Sequence, residues 1–318
     1  MTRLGYQIPN FTYPGASPAD LFPTVVRQAR AAEASGFDTV LVMDHLYQLP
    51  GLGPPENEML ECYTLLSALA QHTERVRLSA LVTGNTYRNP ALLAKEVTTL
   101  DHVSGGRAQL GIGAGWFQLE HDSLGFEFGT FSDRFSKLEE SLQIIRGMLA
   151  GSRPSVDGRW YRVNDAINSP APLSKIPIMI GGGGEKKTLR LVALYADESN
   201  LICQPSEVPR KLDALVGHCD SVGRDRSEVV VTLLASCCIA PTHAQAVAEA
   251  DAYLADKGPG ANQFRSQIVM GDPDEVGEIF ASRMIDGVDG FIVNAPANGH
   301  IEGRVELLGQ VLGKVVDI

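Results

Sequence analysis

No stretch of this 318-residue chain approaches the roughly 18 consecutive apolar residues that a membrane-crossing helix needs. The first residues, MTRLGYQIPNFTY, lack the apolar segment of a secretory leader. Cysteine is sparse and odd in number: Cys62, Cys203, Cys219, Cys237 and Cys238, with no C-x-x-C pair and no Cys/His zinc spacing. A disulfide framework and a structural zinc are therefore not expected, and a reduced, cytoplasmic protein is. Positive charge is in deficit, 27 Lys and Arg against 38 Asp and Glu, for a net charge of −11. That balance argues against a general nucleic-acid or anionic-membrane binder but says little about small-molecule substrates, which are the expected partner on the grounds given below. Internal repeats and low-complexity segments are also missing.

What the chain does have is an ordinary globular composition, 44% hydrophobic and 20% charged, and a steady alternation of short apolar runs with amphipathic stretches. Eight strand candidates stand out: RLGYQIPN, DTVLVMDH, RVRLSALVTG, RAQLGIGAG, IPIMIGG, SNLIC, EVVVTLLASCCIA and DGFIVNAP. Helical patterns follow nearly all of them, including ENEMLECYTLLSALAQHT and FSDRFSKLEESLQIIRGMLAG, the latter with Ser132 as the expected cap. Excursions fall around 151–175 and 255–270. Eight strand–helix units over residues 1–318 predict an α/β protein, one (β/α)8 TIM-barrel domain, with its active site at the C-terminal strand ends.

That rule selects residues. The run Gly181, Gly182, Gly183, Gly184 lies between a strand and a helix, where free backbone N–H groups and the helix dipole favour an anion. Glu185, Lys186 and Lys187 follow it. It matches neither a Walker loop nor a Rossmann fingerprint. In GIGAG the glycines 111, 113 and 115 alternate, which clears one face of the strand for something flat. Asp44 and His45 end the second strand, where an imidazole can bind a ligand or move a proton. Glu120 and His121, in LEHDSLG, form a second candidate acid–base pair. Glu120, Glu127 and Asp133 could suggest paired glycosidase carboxylates, but they share one loop-to-helix segment rather than two strand ends. No His spacing suits a metal.

The stretches VLVMDHLYQLP, ALVTGNTYRNPALLAKEVTTLDHVSGGRAQLGIGAGWFQLEH, FSDRFSKLEESLQIIRGML and IPIMIGGGGEKKTLRLVALYADES together resemble the luciferase-like (LLM class) oxidoreductases, most closely the subgroup that uses the deazaflavin coenzyme F420. The resemblance covers most of the chain and is strongest over about 38–200. It implies a (β/α)8 barrel, often a homodimer, with the cofactor across the strand ends and its phosphate near Gly181–Gly184 and Glu185. It places Asp44 and His45 by the ring and brings Leu81, Val82, Thr83, Gly113 and Gly115 into the cofactor site. A non-proline cis peptide is implied near Ala80–Val82. Tyr47, Trp116 and Phe117 fall on the substrate side, and His45 is the expected proton donor, with Glu120 or His121 behind it. Trp116 stands where related sugar-phosphate dehydrogenases carry a glutamate proton donor, and Asn85 and Ser199 also depart from the pattern. Two other readings remain open: an FMN-dependent monooxygenase using reduced flavin and oxygen, and a non-catalytic flavin or deazaflavin carrier.

Overall fold

The structure is a computed structural model that describes residues 2–255, 257 and 261–317. Its strands, in chain order, are β1 Leu4–Ile8, β2 Thr39–Val42, β3 Arg77–Ala80, β4 Thr83–Gly84, β5 Ala108–Gly113, β6 Val156–Asp157, β7 Arg162–Val163, β8 Ile178–Gly181, β9 Glu198–Leu201, β10 Val230–Ile239, β11 Val269–Gly271 and β12 Gly290–Asn294. The helices are α1 Leu21–Ala34, α2 Cys62–Leu69, α3 Pro90–Ser104, α4 Gln118–Leu124, α5 Phe131–Leu149, α6 Thr188–Tyr195, α7 Val208–Val222, α8 His243–Leu254, α9 Ala261–Gln267, α10 Pro273–Arg283 and α11 Arg304–Val315. None of the described helices is long and apolar enough to cross a membrane.

Contacts divide the chain into two compact units, one of Cys62–Gln71 and Arg77–Val230, the other of Thr2–Glu61, His72–Val76 and the chain from Val231 onward. In the first, β3, β5, β8 and β9 lie side by side in that order, all parallel, and β4 also pairs with β5. In the second, the order is β11, β10, β12, β1, β2, again all parallel. Each unit thus supplies four principal parallel strands, and these are the eight expected from the apolar runs. Every position of β1, β2, β5, β9 and β12 is buried. Parallel strands covered on both faces read as largely apolar runs, which is why most were legible; β9 is the exception, with Glu198, Ser199 and Asn200 all buried.

Several local expectations change. The helix expected over residues 56–73 is only α2, Cys62–Leu69. The cap of α5 is Thr130 rather than Ser132: its side chain accepts from the Asp133 N–H while the Asp133 carboxylate accepts from the Thr130 N–H, a capping box. Residues 118–124 form a helix, α4, that the sequence did not announce. In the 151–175 excursion β6 and β7 pair as an antiparallel hairpin. Glu140 on α5 holds it, accepting backbone N–H bonds from Arg159 (3.0 Å), Trp160 (2.9 Å) and Tyr161 (3.0 Å). Of the 255–270 excursion, residues 256 and 258–260 lie outside the described residues, and the remainder contains α9 and the short β11.

Candidate active site

The four glycines that end and follow β8 answer to four separate local demands. A Cβ on Gly181 would come within 2.8 Å of Val82 Cγ1, and one on Gly184 within 2.8 Å of Thr188 Oγ1. Gly183 passes the Ile202 carbonyl oxygen, which a Cβ would meet at 3.1 Å. Gly182 has φ +123°, a region that side chains disfavour. What this tight passage leaves is a row of donors. Among the described residues, the backbone N–H groups of Gly183, Gly184 and Glu185 have no acceptor from the protein. They lead into the N-terminus of α6, whose dipole adds positive potential.

Lys211 on α7 adds a nearly buried ammonium, which sequence reasoning missed. Its Cε lies 3.6 Å from where a Gly183 Cβ would be, and its Nζ is 3.1 Å from Glu185 Oε1. The hydrogen bond from Lys211 holds the Glu185 carboxyl below the usual carboxylate range, and Arg210 pairs with the same oxygen at 3.2 Å. Nothing in the spacing of α7 marks Lys211, because its partner is a loop 26 residues earlier in the chain. Lys187 is drawn off elsewhere, to Ser132 Oγ at 3.1 Å and to the faces of Phe131 and Phe135.

The alternating glycines of β5 clear a face as expected, but the protein itself fills the space. A Cβ on Gly111 would overlap the Ala80 carbonyl oxygen and come within 2.9 Å of Met179 Cε. A Cβ on Gly113 would lie 2.9 Å from Val82 Cγ2. Val82 is therefore seated between Gly113 and Gly181, at the ends of β5 and β8. The Leu81–Val82 peptide is cis, at the place the family resemblance implied. Leu81 is buried, Val82 half-buried, and the buried Thr83 hydroxyl lies 2.7 Å from that of Tyr63.

Glu120 and His121 point inward rather than toward solvent. Both are buried on α4. The Tyr87 hydroxyl donates to the Glu120 carboxylate. His121 Nδ1 is 2.9 Å from the Phe117 carbonyl and Nε2 is 2.7 Å from Thr86 Oγ1. The rings of Tyr87 and Phe128 lie 5.0 and 4.7 Å from that of His121. The Thr86 hydroxyl also packs on Gly115, where φ is +79° and a Cβ would come within 2.7 Å of it. These bonds tie the segment after β4 to the segment after β5. Glu127 pairs with Lys137 at 2.9 Å and Asp133 caps α5, so neither is arranged as a glycosidase carboxylate.

Trp116 is 58% exposed, whereas Phe117 beside it is buried, with ring centroids 5.3 Å apart. In the other unit, Asp44 is buried just past the end of β2, and His45 and Tyr47 are half-buried.

A family model for luciferase-like monooxygenases matches residues 2–298. The chain belongs to that family. It is an enzyme of the luciferase-like group, and its solved relatives show the same fold. An F420-dependent secondary alcohol dehydrogenase, solved with an F420–acetone adduct, superposes with a TM-score of 0.82 at 20% identity over 99% of both chains. That likeness identifies the fold as the (β/α)8 TIM barrel. Among curated proteins, an F420-dependent glucose-6-phosphate dehydrogenase of Microbacterium testaceum is 30% identical over 85% of this chain and 80% of its own length. The pyrimidine monooxygenase RutA of Caulobacter sp. (strain K31) is 29% identical over 64% of this chain and 58% of its own. The family thus contains both deazaflavin oxidoreductases and oxygen-using enzymes.

Proposed function

We propose that this protein is a coenzyme F420-dependent oxidoreductase acting on a small organic substrate. One observation carries the reading: the Gly183–Glu185 N–H groups and the Lys211 ammonium converge on one loop beside the half-buried Val82, a combination that suits a phosphate-bearing flat cofactor. Deazaflavin held there supplies two-electron hydride transfer at its C5. The chain's residues do the rest. The N–H row and Lys211 bind the phosphate, and Val82, propped on Gly113 and Gly181, supports the ring. The family resemblance is what puts Asp44 and His45 by the ring, where His45 would hold or deliver the proton that accompanies the hydride. Glu120 and His121, buried and bonded to Tyr87 and Thr86, keep the loop carrying Trp116 and Phe117 in place.

Two variants test this together, assayed by F420 binding and by turnover against a panel of alcohols and ketones. His45→Ala should abolish turnover while leaving F420 affinity within about tenfold. Lys211→Ala should weaken F420 binding by about tenfold or more, since losing a charge-assisted hydrogen bond to a phosphate costs roughly 1.5–3 kcal/mol. Binding of F420 with no turnover of any panel member by the unmodified protein would favour a carrier. Preference for FMN would favour the monooxygenase reading.

A further inference from the structure

Glu185 brings two opposed groups to the glycine loop. Its backbone N–H is one of the three that the cradle offers to an anion. Its carboxylate lies against the cradle's own cation, with Oε1 3.1 Å from Lys211 Nζ. The Lys211 side chain is 11% exposed and that of Glu185 32%, so the pair is partly shielded from water. The hydrogen bond from Lys211 holds the carboxyl below the usual carboxylate range, and the group is charged at neutral pH. A phosphate that accepts from both Lys211 and the Glu185 N–H therefore meets a negative charge on that same residue, and like charges repel.

The surroundings give the carboxylate a second place to rest. Arg210, also on α7, lies 3.2 Å from the same Oε1, and its side chain is 63% exposed. Glu207 shares Arg210 at 3.0 Å and lies 3.9 Å from Lys211. The backbone of Glu185 is held separately: its carbonyl can only accept, so His218 Nε2 donates to it, at 2.8 Å. The side chain is thus free to swing outward to Arg210 while the N–H row keeps its place.

We propose that Glu185 is a built-in competitor at the phosphate cradle: its carboxylate neutralises Lys211 in the cofactor-free protein, and an arriving phosphate displaces it toward Arg210. The competitor lowers the affinity for any phosphate-bearing ring and speeds its release. This inference rests on the cofactor reading above for its occupant and adds what limits that occupant's affinity. Fluorescence-quenching titrations of the cofactor-free protein test it, using F420 and the pair FMN and riboflavin, which differ only in the phosphate. In the parent, FMN should bind more tightly than riboflavin. Glu185→Gln should tighten F420 and FMN by about three- to tenfold, mainly through slower release, and leave riboflavin binding unchanged. Glu207→Gln, which removes a charge farther from Lys211, should have a smaller effect. Weaker binding of F420 and FMN in Glu185→Gln would show that the carboxylate serves to position Lys211. Unchanged binding, an equal gain for riboflavin, or an equal gain in Glu207→Gln would show that Glu185 does not compete at the cradle. Each of these overturns the proposal and leaves the cradle standing. No advantage of FMN over riboflavin in the parent, with no binding of F420, would overturn the cradle itself and the competitor with it. Because the Glu185 pairs are partly exposed, thermal melts of Glu185→Gln should stay close to those of the parent.

Discussion

Thr86 Oγ1 and His121 Nε2 are 2.7 Å apart, and this contact joins the segment after β4 to the helix after β5. A carbonyl can only accept, so the Phe117 oxygen at Nδ1 puts the proton of the neutral ring there and leaves Nε2 to accept from the threonine hydroxyl. Thr86→Val removes that donor and leaves a buried acceptor unpaired, at a cost of about 1–3 kcal/mol. Chemical denaturation should show the loss, and limited proteolysis should show faster cleavage between 113 and 125. Unchanged stability would mean that the bond does not hold the loop.

Val82 and the two glycines it touches should be energetically coupled. Gly113→Ala would press a methyl against Val82 Cγ2, and overpacking of this kind costs about 1–3 kcal/mol. Val82→Ala should relieve most of that penalty, so a double-mutant cycle should give a coupling of about 1 kcal/mol or more. Additive effects would show that the glycine is required for some other reason.

A second network, in the other unit, predicts a pH dependence. Arg304 pairs with Glu249, and both side chains are largely buried. Asn298 Nδ2 donates to Glu249 at 2.8 Å and to the Ile239 carbonyl at 2.8 Å. Burial pushes the Glu249 carboxyl up, but hydrogen bonds from Arg304 and Asn298 outweigh it and hold the group below its ordinary value of 4.5. A carboxylate depressed in the folded state contributes stability that is complete above its unfolded pKa and is lost as pH falls through the folded one. Arg304→Ala should therefore cost about 3 kcal/mol at pH 7 by stranding a buried charge. The stability gap between the parent and Glu249→Gln should shrink steadily as pH falls below about 4.5. Urea melts across that range read both, and a gap that grows toward acid would contradict the assignment.

Most of the principal strands were legible because parallel strands buried on both faces leave apolar runs such as IPIMI and GFIVN, whereas β9, Glu198–Leu201, showed in sequence only as the brief segment SNLIC. Helix ends were less legible. ENEML before Cys62 continues a helical pattern in sequence but not in space, and Thr130-x-x-Asp133 is a capping box that sits two residues ahead of the more obvious Ser132. At the site, the glycine clusters announced themselves by composition, but their reasons did not. Gly113 and Gly181 make room for Val82, about 31 and 99 residues away in the chain, and no local pattern encodes that meeting. Lys211 was invisible for the same reason. Glu120 and His121 had the right chemistry for proton transfer, but the sequence could not reveal that Tyr87 and Thr86 already engage them.

The most direct measurement is a fluorescence-quenching titration of the purified, cofactor-free protein with oxidised F420 and, separately, with FMN. The account predicts micromolar binding of F420 and much weaker binding of FMN. FMN bound as tightly as F420, or more tightly, would contradict it and make the oxygen-using monooxygenase the leading explanation.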